Sequence, residues 1–221
     1  MRQRNLLLIL FMAVLSLVLT TPISACAFGS GETMRTQRGP SGSYYVRSGR
    51  FAGTGDIYRY FSNSLRIEIS PSKRYQPGAR VVRARWLGGC SVDAMSDRSK
   101  CRINVLDPRG LVSGGLELQV NSAGNIVVAC VIGHDFPGRI AQVRIDKNPA
   151  LSTNANGCLS GASARAIQSQ LSGGKTLITR RIEWPYEYHR DTVFDVADGW
   201  RQAHAFFRYR NSEAAARSFA K

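Results

Sequence analysis

Apolar and polar residues alternate along much of the chain, with the period of two that is typical of half-buried β-strands. The first clear run begins at Leu65, where Leu65, Ile67 and Ile69 share one face and Arg66 and Glu68 share the other. Further strands are predicted at residues 82–86, 102–105, 116–120, 126–132, 141–145, 176–184 and 192–196. Residues 126–132 are apolar on both faces, which indicates a central strand.

Two other segments follow the helical period. Ser160 can cap a short helix that ends at Gly173 and Gly174, and Asp198 can cap a second one. The apolar stripes of these helices are Ala164, Ile167 and Leu171 in the first and Trp200, Ala203, His204 and Phe207 in the second. Because long helices do not alternate with the strands, we predict a mainly β fold: an antiparallel β-sandwich or barrel-like domain with two short helices.

The chain before Leu65 has a different composition. Residues 28–62 are rich in Gly, Ser, Arg and Tyr and keep no sustained apolar period. We therefore expect a flexible, partly docked leader over 28–62, the β domain over 63–210 and a frayed tail over 211–221. Arginine and aromatic residues interleave in the leader, as in proteins that bind single-stranded nucleic acid, but a basic tether is the favoured interpretation.

The N-terminal residues have the layout of a bacterial secretory signal. Arg2 and Arg4 precede an uncharged apolar run, Leu6–Leu19, and small residues follow Pro22. As a helix the run would cover about 21 Å, which is less than the ~30 Å hydrocarbon core of a bilayer. The uncharged stretch continues to Gly31, so a retained membrane anchor stays an alternative.

Two cleavage sites compete within this segment. Residues 25–27 form an A-x-A site, which gives a signal peptide over 1–27 and a soluble product. Residues 23–26 resemble a lipobox, which gives a signal peptide over 1–25 and a lipidated Cys26. We expect membrane association only for the lipidated form. Either route leads to the periplasm, the outer membrane or the extracellular space of a Gram-negative bacterium, where no nucleic acid is expected as a partner.

The charge of the chain is strongly positive. Its 221 residues include 30 basic and 15 acidic side chains, and removal of residues 1–25 leaves a net charge of +13. The candidate anion-binding residues are Arg83, Arg85, Arg102 and Arg144, which project from the outer faces of predicted strands. If those strands are neighbours, the guanidinium groups form one surface suited to phosphate or carboxylate. A basic surface can also serve solubility alone.

Export would bring the cysteines into an oxidising compartment, where disulfides persist. Of the three possible pairings of the remaining four cysteines, the favoured one is Cys90–Cys101 with Cys130–Cys158. Zinc sites need closely paired ligands and redox catalysis needs C-x-x-C, and the cysteine spacings fit neither. We therefore expect structural disulfides, no metal and no cofactor.

Catalytic motifs are sparse. The chain contains no G-x-S-x-G elbow, no P-loop and no dinucleotide-binding glycine motif. His134 lies in a turn-like segment, His189 lies in an aromatic, charged loop, and His204 is interpreted as a satisfied core residue. We expect no enzymatic activity; the alternative is a periplasmic hydrolase or transferase that uses His134 or His189.

From Trp86 to Phe207 the chain resembles the invasion-associated locus B family of small exported proteobacterial proteins. The stretches that carry the resemblance, in order, are Trp86–Cys90 with Cys101, Ile140–Asp146, Asn156–Cys158, Ala162–Lys175 and Val196–Ala203. The resemblance implies a periplasmic or outer-membrane protein, in some members linked to host-cell invasion, without an established enzymatic activity or catalytic residues. The leader lies outside the resemblance.

These observations favour a non-enzymatic exported envelope protein. Its expected partners are anionic lipid, lipopolysaccharide, or an envelope or host protein. A structural part of a surface assembly remains a further alternative.

Overall fold

The computed structural model describes residues 33–39, 42–51, 55–61, 66–72, 80–92, 95–96, 99–108, 114–205 and 207. The expected signal peptide, Cys26, Leu65 and the expected tail over 211–221 lie outside the described residues.

The described residues form fourteen strands and two helices. The strands are β1 (Thr33–Gly39), β2 (Gly42–Arg50), β3 (Ile57–Phe61), β4 (Arg66–Ser70), β5 (Val82–Arg83), β6 (Arg85–Val92), β7 (Ser99–Leu106), β8 (Leu116–Val120), β9 (Ile126–Val131), β10 (Gln142–Ile145), β11 (Leu151–Ser152), β12 (Cys158–Ser160), β13 (Thr176–Arg181) and β14 (Arg190–Asp195). The helices are α1 (Gly161–Gly173) and α2 (residues 199–205).

The strands form two sheets. The large sheet has the order β1-β2-β3-β4-β6-β7-β8-β9-β12, and the small sheet has the order β11-β10-β13-β14-β5. All neighbouring strands are antiparallel except β14 and β5. The mainly β, antiparallel prediction is therefore confirmed, and the sheets are not closed into a barrel.

Both sheets and both helices contribute to one hydrophobic core. Alternate residues of the strands are buried, as in β8, where Leu116 and Leu118 are inaccessible and the residue between them is not. Helix α1 packs on the core with its predicted stripe, and helix α2 buries Trp200 and Ala203. Phe207 closes over Gly88, where a Cβ atom would lie 2.7 Å from the Phe207 ring. A larger residue at this strand position would displace the Phe207 ring or Ile67.

The two predicted disulfides are confirmed. Cys90 faces Cys101 across β6 and β7, and Cys130 faces Cys158 across β9 and β12, with 4.0 Å between Cα atoms in both pairs. Each bond therefore joins directly opposed residues of adjacent antiparallel strands. The two bonds indicate an oxidising location outside the cytoplasm.

The expectation that residues 28–62 lack regular elements, before a domain that starts at residue 63, is wrong. This region contains β1, β2 and β3, and β3 pairs directly with β4 in the large sheet. The reason lies in the residues that supply the alternation. Tyr58 and Tyr60 are buried and Arg59 between them is exposed. The core face of this strand is made of tyrosines, which the aliphatic pattern of the later strands does not reveal.

Candidate anion-binding surface

The outer face of the large sheet carries an excess of positive charge. One row of opposed residues runs across seven strands of this face and contains Thr33, Ser48, Arg59, Glu68, Leu87, Asn104 and Glu117. The same face carries six arginines and one lysine: Arg35, Arg50, Arg59, Arg66, Arg85, Arg102 and Lys100. Its acidic residues at described strand positions are Glu68 and Glu117. We call this surface the basic face.

The glutamates neutralise only part of the basic face. Glu68 lies 3.1 Å from Arg66 and 3.6 Å from Arg85, so one carboxylate serves two guanidinium groups. Glu117 lies 3.7 Å from Arg102, a distance at the outer limit of an ion pair. The arginine side chains of these pairs are 30% to 58% exposed, so the pairs contribute little and the cations can still bind other anions.

At one end of the basic face, strands β1 to β3 line a cavity of about 440 Å³. The lining residues are Thr33, Arg35, Gln37, Val46, Ser48, Arg59 and Phe61. They include two arginines and no carboxylate. Among the described residues, neither Arg35 nor Arg59 has an ion-pair partner within 4.0 Å. We call this site the β1–β3 cavity.

The outer face of the small sheet also carries arginines, but they are matched by carboxylates. Arg83 is bound by Asp56 at 2.7 Å and by Asp195 at 2.9 Å. Burial disfavours the Arg83 cation, but the hydrogen bonds and charges of the two carboxylates outweigh it and raise the pKa of Arg83 above its ordinary value. The guanidinium group of Arg83 therefore already has two carboxylate partners within the protein.

A second matched pair lies on the same face. Arg180 donates two hydrogen bonds of 2.7 Å to Asp191, with Nε and Nη2 bound to separate carboxylate oxygens. These bonds lower the pKa of Asp191 below its ordinary value, against the opposing effect of burial. Arg144 lies close to this pair, and its charge adds to the lowering. We call this surface, with Arg83, Arg144, Arg180, Asp191 and Asp195, the small-sheet face.

The four arginines singled out from the sequence do not form one surface. Arg85 and Arg102 lie on the basic face, whereas Arg83 and Arg144 lie on the small-sheet face. Arg85 and Arg102 lie on the adjacent strands β6 and β7, but β5 and β10, which carry Arg83 and Arg144, are separated by two strands of the small sheet, so the condition for a single surface is not met. The sequence shows arginine and aromatic residues interleaved before residue 62, but their interpretation as a basic tether did not place Arg35 and Arg59 on the face of a sheet. The alternation of Arg59 with Tyr58 and Tyr60 is the signal for a strand there.

Of the two histidines of the alternative hydrolase hypothesis, His134 is hydrogen-bonded to the backbone. The backbone N–H of Ile182 donates to Nδ1 of His134 at 3.3 Å, so the proton of a neutral ring is on Nε2 and points to the carbonyl oxygen of Arg139 at 3.1 Å. Both ring nitrogens are then occupied by backbone groups. His189 is exposed, and neither histidine lines the β1–β3 cavity. His204 is satisfied, as expected, by the carbonyl oxygen of Gly124 at 2.9 Å.

Aromatic side chains are exposed where the loops after β9 and β13 meet. Trp184, Tyr186 and Tyr188 are each more than half exposed. The ring of Trp184 contacts Phe136 with 5.2 Å between centroids, and its backbone N–H donates to Asp135. Basic and acidic residues alternate around these rings, so this loop cluster lacks the excess charge of the basic face.

The described part of the chain contains no group of three or more His, Cys, Asp or Glu side chains that could hold a metal ion. Of its helices, none combines the length and the hydropathy needed to span a bilayer. Comparisons of the chain with known protein families, with curated proteins and with solved structures found no match in any of the three.

Proposed function

We propose that this chain is a non-enzymatic exported envelope protein that binds anionic surface components through the basic face. The observation that carries the proposal is the imbalance on that face, where six arginines and a lysine meet two glutamates. Guanidinium groups bind phosphate and carboxylate through two parallel hydrogen bonds. An array of them along one face of a sheet suits an extended anionic surface better than a single small molecule.

The location belongs to the same proposal. Two disulfides require an oxidising compartment, and the N-terminal segment has the layout of a secretory signal. We infer a periplasmic, outer-membrane or extracellular protein of a Gram-negative bacterium. The resemblance to the invasion-associated locus B family agrees with this location. In that setting the anions available are phospholipid headgroups and lipopolysaccharide.

The chemistry of His134 favours binding over hydrolysis. A general base must have a free nitrogen within hydrogen-bond reach of the proton that it removes. Both nitrogens of His134 are held by backbone groups of Ile182 and Arg139. His134 is therefore better explained as a link between two loops.

Binding to phosphatidylglycerol vesicles tests this proposal. The double variant Arg66→Gln, Arg102→Gln removes two exposed charges of the basic face. Each basic residue near an anionic membrane contributes about 1 kcal/mol, so binding should weaken roughly thirtyfold. Added salt should weaken vesicle binding of the wild type more steeply than that of the variant, because the wild type carries two more charges for salt to screen.

The matched control is Lys147→Gln, Arg165→Gln. Lys147 lies in the turn after β10 and Arg165 on α1; both are exposed, and the net charge falls by the same amount. We expect the control to bind almost as tightly as the wild type. Equal weakening in both double variants would show that net charge alone drives binding and would overturn the proposal.

A further inference from the structure

The β1–β3 cavity has a lining that differs from the rest of the basic face. Val46 is almost completely buried and forms the floor, and the ring of Phe61 forms a wall. The guanidinium carbon of Arg66 lies 4.3 Å from the centre of that ring and holds it in place from outside the cavity. The cavity therefore has an apolar floor under a basic rim.

The two arginines of the cavity lie diagonally across β2, two residues apart in register. Arg35 lies opposite Val46 and Arg59 lies opposite Ser48, on the strands that flank β2 on either side. Strand spacing puts their backbones at least about 10 Å apart. Both side chains are exposed and long, so their guanidinium groups can bind one oxyanion above the strand between them.

Hydroxyl groups complete the lining. Thr33 Oγ1 and Ser48 Oγ are 2.9 Å apart, so one hydroxyl donates to the other. The accepting hydroxyl keeps its own proton, which it can donate to a ligand. A ligand that fits would carry an oxyanion for the arginines, hydroxyl groups for this pair and a ring whose C–H face covers Val46 and Phe61.

We propose that the β1–β3 cavity binds a phosphorylated sugar unit. The volume of about 440 Å³ lies in the range of small-molecule sites and exceeds what an inorganic anion needs. The inference rests on the proposed function, which supplies the class of anion. It adds one saturable site for a sugar phosphate at the end of the extended basic face. The sugar phosphate can be the headgroup of a glycolipid or a free metabolite, since both present the same chemistry.

Titration calorimetry with glucose 6-phosphate tests the site, with glucose and inorganic phosphate as partial ligands. We expect saturable binding of glucose 6-phosphate and at least tenfold weaker binding of either partial ligand. The double variant Arg35→Gln, Arg59→Gln should lose at least about thirtyfold in affinity, because it removes two charge-assisted contacts. The double variant Arg35→Lys, Arg59→Lys keeps the positive charge but not the planar guanidinium group and should lose less affinity. Absence of binding to the wild type, or equal affinity in the glutamine variant, overturns the inference.

Vesicles distinguish the two sources of the ligand. Retention on vesicles that contain lipid A, reversed by free glucose 6-phosphate, assigns the cavity to a lipid headgroup. Binding of free glucose 6-phosphate without extra retention on these vesicles assigns it to a soluble sugar phosphate. If neither is observed, the site does not exist as proposed.

A further double variant keeps this inference separate from the proposed function. Lys100→Gln, Arg102→Gln removes two charges of the basic face on β7, which supplies no residue to the lining of the cavity, and should keep glucose 6-phosphate affinity within about threefold, the range expected for exposed charges. If it weakens binding to phosphatidylglycerol vesicles while glucose 6-phosphate does not bind the wild type, only the inference fails. If glucose 6-phosphate binds at the cavity and substitutions on the basic face do not change vesicle binding, only the proposed function fails.

Discussion

The basic face and the small-sheet face present the same kind of residue on the same kind of strand, yet their arginines have different surroundings. On the small-sheet face, Arg83 and Arg180 contact aspartates at 2.7 to 2.9 Å. On the basic face, Arg66, Arg85 and Arg102 contact glutamates at 3.1 to 3.7 Å. The lesson is that the position of the carboxylates, more than that of the arginines, decides which cations stabilise the fold and which can bind a ligand.

The largest effect should come from breaking the most buried of the matched pairs. Arg83→Gln removes the guanidinium group that binds the carboxylate of Asp56, which is only 8% exposed. We expect the free energy of unfolding to fall by about 3 kcal/mol, since removing one partner of a largely buried ion pair is costly. Urea unfolding with tryptophan fluorescence measures this loss.

Arg66→Gln is the control from the other face. Arg66 is half exposed, so its pair with Glu68 should contribute less than about 1 kcal/mol. Similar losses of stability in Arg83→Gln and Arg66→Gln would contradict the distinction between the two faces.

A smaller effect should follow when the basic face is given a counter-ion of its own. Ser48 lies directly opposite Arg59 and two strands away from Glu68. Ser48→Asp would place a carboxylate beside Arg59 and make this part of the face resemble the small-sheet face. We expect vesicle binding to weaken about fivefold, the effect of one basic charge near a membrane, and Ser48→Asn to bind like the wild type. Equal binding by both variants would show that Arg59 takes no part.

The smallest effect concerns the pH dependence of the small-sheet face. Arg180 lowers the pKa of Asp191, so the ionised carboxylate is favoured in the folded state. The resulting stability is complete above the ordinary pKa of aspartate, about 3.9, and is lost as the pH falls through the lowered pKa. Because the pair is exposed, we expect no more than about 1 kcal/mol.

Unfolding of the wild type and Asp191→Asn over a series of acid pH values measures this contribution. The difference in the free energy of unfolding should shrink as the solution becomes more acidic. A difference that stays constant with pH would exclude ionisation of Asp191 as its cause. Vesicle binding should not follow this titration, since arginines stay charged throughout.

Much of the fold could be predicted because its later strands follow simple rules. Aliphatic residues alternate with polar residues in β4 and β7, and Ser160 and Gly174 flank helix α1 at the predicted bounds, although the Ser160 side chain makes no capping hydrogen bond. The disulfides could also be predicted, because Cys90 and Cys101 flank a loop between two strands. These signals are local, so a single sequence contains them.

The candidate site could be predicted only in part, because it depends on contacts between distant residues. Asp56 and Asp195 lie far from Arg83 in the sequence and occupy its guanidinium group only after folding. The sequence therefore presents Arg83 and Arg85 as equivalent, although one is bound on both sides. The sequence does not predict β3 because Tyr58 and Tyr60, which are polar at their hydroxyl ends, form the core side of that strand.

Chemical footprinting of the arginines tests the central claim most directly. Phenylglyoxal modifies accessible guanidinium groups, and mass spectrometry reports the modification of each arginine with and without phosphatidylglycerol vesicles. If the basic face binds the membrane, vesicles will protect Arg59, Arg66 and Arg102 while Arg144 and Arg165 react as in free solution. Protection of Arg144 and Arg165 to the same extent, or no protection of the basic face, would contradict binding through that face.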